Sequence, residues 1–210
     1  FSRRSRRLLA GIERADSVTL DAHKQLYVPM GAGMALFRDP GAMRAIEHHA
    51  RYIIREGSRD LGSKTLEGSR PGMAMLVHSA LRILGRRGFE LLIDTGIDNA
   101  AWFAAELRRA PDFELTSEPE LNILTYRYVP AGARQTLARA DAGGAARINA
   151  VLNRVTCDIQ RLQREAGKSF VSRTRLRLPA WPDEAVDVFR VVLANPLTGR
   201  RVLADILHEQ

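Results

Sequence analysis

Residues 16–21 alternate apolar and polar positions. Val18 and Leu20 fall on one side and Ser17 and Thr19 on the other, the two-residue period of a strand. The pattern breaks at Asp21-Ala22-His23-Lys24. It resumes as a nearly continuous apolar run from Met30 to Phe37 that contains Gly31 and Gly33 and predicts a second strand over residues 34–37. Arg38-Asp39-Pro40 ends it, because proline cannot donate to a ladder. Around this pair the pattern predicts a short helix or turn in residues 2–13, where Leu8, Leu9 and Ile12 have helical spacing, and a short helix over residues 41–49. Residues 51–55, with Tyr52, Ile53 and Ile54, read as a third short strand. Residues 71–87 carry a helical stripe of Met73, Leu76, Val77, Ala80, Leu81 and Leu84. Pro71 suits the first turn, and Gly85 or Gly88 can end a segment. Residues 90–109 continue helically, with Leu91, Leu92, Ile97, Trp102, Phe103 and Leu107 as core candidates.

Pro111 is the best internal boundary, and the pattern changes after it. Residues 113–115 and 122–128 read as strands, the second alternating Ile123, Thr125 and Arg127 against Leu124, Tyr126 and Tyr128. Residues 135–144 form a polar connection. Residues 145–166 make an amphipathic helix through Ile148, Val151, Leu152, Val155, Ile159 and Leu162, capped by Gly167. Residues 170–178 alternate again, and 184–193 and 202–208 suggest further strand or helix on either side of Asn195-Pro196. The expected organisation is α/β in two parts, residues 1–110 and a compact α/β domain over 111–210.

Composition changes this picture little. The 210 residues are 45% hydrophobic and 27% charged, ordinary for a globular protein with a real core. No apolar stretch approaches the length of a membrane span, and the basic start lacks the apolar core of a signal peptide. The single Cys157 cannot form an internal disulfide and fits a reducing cytoplasm, so a cytoplasmic location is expected. One Cys and five scattered His give no metal-site spacing, and no metal is expected. The net charge of +8 raises the question of nucleic acid. The arginines are dispersed, however, and the one run, Arg3-Arg4-Ser5-Arg6-Arg7, has no interleaved aromatics, so nucleic acid is not the expected partner.

The candidate chemistry centres on Lys24. It sits where a strand has just emerged, between apolar segments, and partial desolvation there would disfavour the ammonium form, as a Schiff-base lysine needs. The plain alternative is a solvated loop lysine. Residues 56–69, EGSRDLGSKTLEGS, form a polar loop that reads either as a surface connection or as a lid. Arg70 follows in Gly68-Ser69-Arg70-Pro71 and could hold a substrate carboxylate through two parallel hydrogen bonds, or pair with Glu67 or a backbone carbonyl.

The strings ADSVTLDAHK and YVPMGAGMALFRDP, continued by LEGSRPGMAMLVHSALRILGRRGFELLIDTGI, closely resemble the lysine segment of the group II pyridoxal-phosphate-dependent amino-acid decarboxylases. Within that group the chain looks most like the bacterial branch acting on aspartate or glutamate. The resemblance implies a fold-type I, transferase-like α/β architecture. Residues 1–110 would be the C-terminal part of the large cofactor domain and 111–210 the small domain. It implies pyridoxal 5′-phosphate as cofactor, Lys24 as the imine lysine, His23 as a cofactor contact and a homodimer in the complete protein. His23 read on its own residues could equally be a hydrogen-bonded turn residue.

The resemblance implies that several relatives bear a small polar group near the cofactor phosphate at the position of Asp21, and a carboxylate there would repel phosphate, so Asp21 is left out of the candidate site. Many members use a loop Tyr as the Cα proton donor, and residues 53–70 contain none, which leaves Lys24 or a His as substitutes. Members also carry, upstream of the lysine segment, an Asp that pairs with the pyridine nitrogen and a His that stacks on the ring. The start on Phe1 and the short stretch before Ala15 lead to the expectation of a fragment that alone binds cofactor weakly and decarboxylates little. Two further readings stand beside α-decarboxylation of aspartate or glutamate. One is the same enzyme type with an aromatic or diamino acid, and the other is a non-catalytic basic α/β binding module.

Overall fold

The computed structural model describes every residue except Arg51, Glu56, Ser58 and Arg59. The chain divides into two compact units, Phe1–Glu90 and Leu91–Gln210. The division falls inside a helix, upstream of the Pro111 boundary read from the sequence.

The first unit is built on an antiparallel pair, β1 (Ser17–Asp21) and β2 (Gly33–Phe37), in register from Ser17 opposite Phe37 to Asp21 opposite Gly33. Short 3-10 turns at Arg6–Leu9 and Ile12–Arg14 occupy the region where a helix or turn is expected, and a third, Ala42–Ile46, replaces the short helix. Among the described residues the third strand does not form. Tyr52 and Ile53 lie in a turn closed by a bridge between Ala50 and Ile54, and Arg51 is outside the described residues.

Helix α1 (Met73–Arg109) begins two residues after Pro71, whose carbonyl accepts from Met73 N at 2.7 Å. It is kinked at Gly85, whose φ of 60° and ψ of −178° lie in a region essentially reserved for glycine. The apolar stripe of α1 splits. Met73, Val77 and Ala80 pack against Ala22, Val28 and Ala32, while Leu76, Leu81 and Leu84 are exposed. Leu91, a core candidate, is 68% exposed. A helical period identifies a face, and a face wider than its partner leaves its margin uncovered.

The second unit is an antiparallel sheet in the order β3-β4-β6-β5. Its strands are β3 (Phe113–Ser117), β4 (Ile123–Tyr128), β5 (Ser172–Leu178) and β6 (Trp181–Val192). Helix α2 (Ala131–Leu137) takes up part of the expected polar connection, α3 (Ala142–Ala166) carries the long amphipathic segment, and α4 (Arg200–Glu209) closes the chain. Asp141 caps α3, accepting from Gly144 N at 2.7 Å, and Gly167 ends it with φ 70°. Phe103, Leu107, Phe113, Leu124, Tyr126, Phe189 and Leu203 form the main core of this unit.

Candidate functional site

The segment after β1 is a loop pinched at one residue. Ala22 N donates to Ala32 O at 3.1 Å, and Val28 N donates to Ala22 O at 3.3 Å. Inside the pinch are two successive tight turns. Lys24 N donates to Asp21 O and Tyr27 N donates to Lys24 O, both at 3.1 Å, so the backbone of Lys24 is held on both sides. Ala22, Val28 and Ala32 are the buried feet of the loop, standing on Leu26, Met34 and the α1 residues Met73, Val77 and Ala80. Small residues at Ala22 and Ala32 let the loop close tightly on the helix. Tyr27 adopts a left-handed φ of 54°, and Gly31 one of 104°. A side chain in that conformation costs on the order of 1 kcal/mol, which the surrounding hydrogen bonds must hold in place.

Lys24 Nζ forms an ion pair with the Asp21 carboxylate, with the two side chains 67% and 45% exposed. This corrects the expectation that apolar segments desolvate Lys24. The apolar part of the loop is spent on α1 through Ala22, Val28 and Ala32, and the lysine is left at the surface of the described residues. The Lys24 ammonium holds the Asp21 carboxyl below the usual aspartate value, first through the hydrogen bond and then through its charge. His23 adds slightly to the effect and burial opposes it.

His23, between these two residues, is half-buried, and its Nδ1 is sealed with no hydrogen-bond partner among the described residues. A buried polar atom in that state carries a penalty of roughly 1–3 kcal/mol and marks a place where a further group can bind.

Arg70 Nη1 donates to Glu67 Oε2 at 3.0 Å, three residues before α1 begins. The pairing with Glu67 considered from sequence is therefore the arrangement observed, and a carboxylate ligand at Arg70 would compete with it. In the polar loop, Asp60 caps the 3-10 turn Leu61–Lys64 by accepting from Gly62 N at 2.8 Å, and Ser63 O accepts from His48 N at 2.8 Å. The lid reading for residues 56–69 falls partly outside the described residues, at Glu56, Ser58 and Arg59.

His23 and Lys24 thus share one turn, and Arg70 lies on the approach to the helix on which that turn stands. Sequence reasoning missed Asp21 as the partner of Lys24. The signal was its position three residues earlier across a turn, where a carboxylate and an ammonium can meet. It also missed the left-handed Tyr27, for which the sequence carries no mark. Among the described residues no group of three His, Cys, Asp or Glu could hold a metal ion, and no helix is long and apolar enough to cross a membrane.

Comparison with known proteins places this turn in context. Residues 1–129 match the family model described as the pyridoxal-dependent decarboxylase conserved domain. The chain is 56% identical over 205 residues to aspartate 1-decarboxylase of Aliivibrio fischeri, covering 98% of this chain and 38% of that protein. It is 33% identical over 142 residues to aromatic-L-amino-acid decarboxylase of Bacillus atrophaeus, covering 65% of this chain and 30% of that protein. The crystal structure of mouse CSAD in apo form superposes with a TM-score of 0.82 at 24% identity, over 99% of this chain and 41% of that one. The α/β fold is therefore that of these decarboxylases, and the chain spans well under half the length of each of the three proteins.

Proposed function

The chain belongs to the pyridoxal-dependent decarboxylase family, and from that premise we propose that the full-length protein removes the α-carboxylate of an acidic amino acid, aspartate ahead of glutamate, with pyridoxal 5′-phosphate as its cofactor. The observation that carries this reading is the pinched turn that presents Lys24, in a chain so similar along nearly its whole length to a protein named for aspartate decarboxylation. The residues of the turn fit the cofactor. Lys24 Nζ is a primary amine on a backbone fixed at both ends, and the half-buried His23 beside it leaves Nδ1 without a hydrogen-bond partner among the described residues, which supports a polar contact with the cofactor there. We assign Lys24 as the lysine that holds the cofactor covalently and His23 as a cofactor contact.

When bound, the cofactor supplies the electron sink for the bond broken at Cα. The work left to this chain is placement and proton handling. Arg70 is assigned to a substrate carboxylate, which would displace the Glu67 carboxylate and take over its hydrogen bond. A dicarboxylic substrate offers that guanidinium a second acid group, which favours aspartate or glutamate over neutral amino acids. Lys24 Nζ, once released by the incoming amine, is a proton carrier within the same turn and is assigned as a donor to Cα. We assign residues 1–110, the first unit together with the remainder of α1, to the large cofactor domain and residues 111–210, with the β3–β6 sheet, to the small domain. The complete enzyme is expected to be cytoplasmic and a homodimer, and light scattering on the full-length protein checks the dimer.

The deciding experiment supplies aspartate, glutamate, an aromatic amino acid and a diamino acid singly to the full-length enzyme and measures carbon dioxide release. Release from aspartate or glutamate, with KM for that substrate raised about tenfold in Arg70→Lys, is expected. Release from the aromatic or diamino acid alone would replace the substrate assignment, and release from none of the four would remove the decarboxylase reading.

A further inference from the structure

The turn that presents Lys24 also supplies its counter-ion. Asp21 is the last residue of β1, and it holds Lys24 twice. Its carbonyl accepts from Lys24 N at 3.1 Å, and its carboxylate pairs with Lys24 Nζ. Backbone and amine of the lysine are therefore both referred to one residue, which is itself fixed in the β1–β2 ladder opposite Gly33. The elements packed against the loop offer the amine little else. The α1 residues packed against the loop are Met73, Val77 and Ala80, and the other titratable groups of the two turns are His23, whose influence on Asp21 is minor, and Tyr27, whose phenol is pushed up by burial.

An ammonium held by a carboxylate cannot attack a carbonyl carbon. Its lone pair is occupied by a proton, and the pair must open before Nζ can move. Resting on the assignment of Lys24 as the cofactor lysine, we propose that Asp21 is a positioning residue for Lys24. Its carboxylate is the docking point of the amine whenever the amine is not in covalent use. Forming the imine joins Nζ to the aldehyde carbon, releases one water and gives the Nζ proton to solvent. When a substrate amine takes over that carbon, Nζ leaves, regains a proton and returns to Asp21. The Asp21 carboxylate thereby acquires a role, as a fixed resting place for a lysine that must come and go.

The test uses the full-length protein freed of cofactor, as the unaltered enzyme, Asp21→Asn and Asp21→Glu, with melting curves to establish a common fold. Each is exposed to pyridoxal or to pyridoxal 5′-phosphate at one pH, quenched with borohydride over a time course, and mapped for the adduct on Lys24. Pyridoxal lacks the phosphate, so it reports on the amine without repulsion between phosphate and Asp21. For a solvent-exposed ion pair the adduct should form about two- to fivefold faster in Asp21→Asn with pyridoxal, and the difference should vanish in about 1 M salt. Asp21→Glu should return the rate towards that of the unaltered protein. Equal rates in the unaltered protein and Asp21→Asn with pyridoxal would overturn the proposal. An acceleration seen with pyridoxal 5′-phosphate alone would overturn it too, because Asp21 would then act on the phosphate and not on the amine. Absence of a Lys24 adduct in all three proteins would instead remove the cofactor-lysine assignment, and this inference with it.

Discussion

Tyr126 shows how one buried polar group writes a pH dependence into the second unit. Its ring is fully buried against Phe103, Phe113 and Phe189, and its hydroxyl donates to Gln210 Oε1 at 2.6 Å. Burial pushes the phenol far above its ordinary value of 10.0, and the bond to Gln210 works against burial without cancelling it. The folded phenol stays protonated where the unfolded one ionises. The stability it contributes is complete below about pH 10 and is lost as the pH rises beyond that value. Denaturant melts of the full-length protein between pH 8 and 11.5 should show a decline above pH 10 that is shallower in Tyr126→Phe. An unchanged slope in that variant would contradict the account.

The neighbouring Arg127 is a residue the pattern misplaces. Alternation along β4 puts Ile123, Thr125 and Arg127 together on the side opposite Leu124, Tyr126 and Tyr128, yet Thr125 and Arg127 are both buried. Arg127 is buried because it has partners. Its Nε donates to Glu114 at 2.6 Å, its Nη1 donates to Asn149 at 2.9 Å, and its guanidinium lies 4.6 Å from the centroid of the Trp181 ring. None of these partners is adjacent in sequence, so the reason for the burial exists only in the fold.

Helix α3 teaches the same lesson over a whole element. Its existence, its Gly167 cap and its length within a few residues are legible from apolar spacing. Its buried face is not, because that face includes Asn149, Thr156 and Gln163 beside Leu152, while Val151 and Leu162 are exposed. Asn149 bonds Arg127 and Glu184, and Gln163 bonds Ser169 and Gln210. A count of apolar residues passes over Asn149 and Gln163, since each is buried with specific partners, while the buried Thr156 hydroxyl has no hydrogen-bond partner among the described residues.

In α1 the feature that matters most is a missing side chain. A Cβ built on Gly96 would stand 2.5 Å from the Leu193 carbonyl oxygen, a backbone atom that cannot swing aside. Helix and strand end therefore touch at a point only glycine allows. Gly96→Ala should cost about 2 kcal/mol, read as a lowered denaturation midpoint with unchanged m. An unaffected midpoint would show that the contact yields.

At the scale of the whole molecule, the sequence conveys the α/β class, the strand pair around Lys24, the long helix and the strand-rich second half. Pro111 interrupts the sequence pattern just after α1 ends, while the compact units divide at Glu90 and Leu91, within that kinked helix, where no composition change marks the division. The break in the strand pattern at Asp21-Ala22-His23-Lys24 made the turn after β1 legible, and the ion pair of Lys24 with Asp21 and the exposure of its amine exist only in the fold. The net charge of +8 carries no separate function in this account.

The central claim is that Lys24 carries the cofactor, and one measurement tests it most directly. The full-length protein is loaded with pyridoxal 5′-phosphate, its visible absorbance recorded, the sample reduced with borohydride and the labelled peptide mapped. A visible band, with the label on Lys24 and both lost in Lys24→Ala, is the predicted result. A band that survives Lys24→Ala, or a label that maps to another lysine, would contradict it.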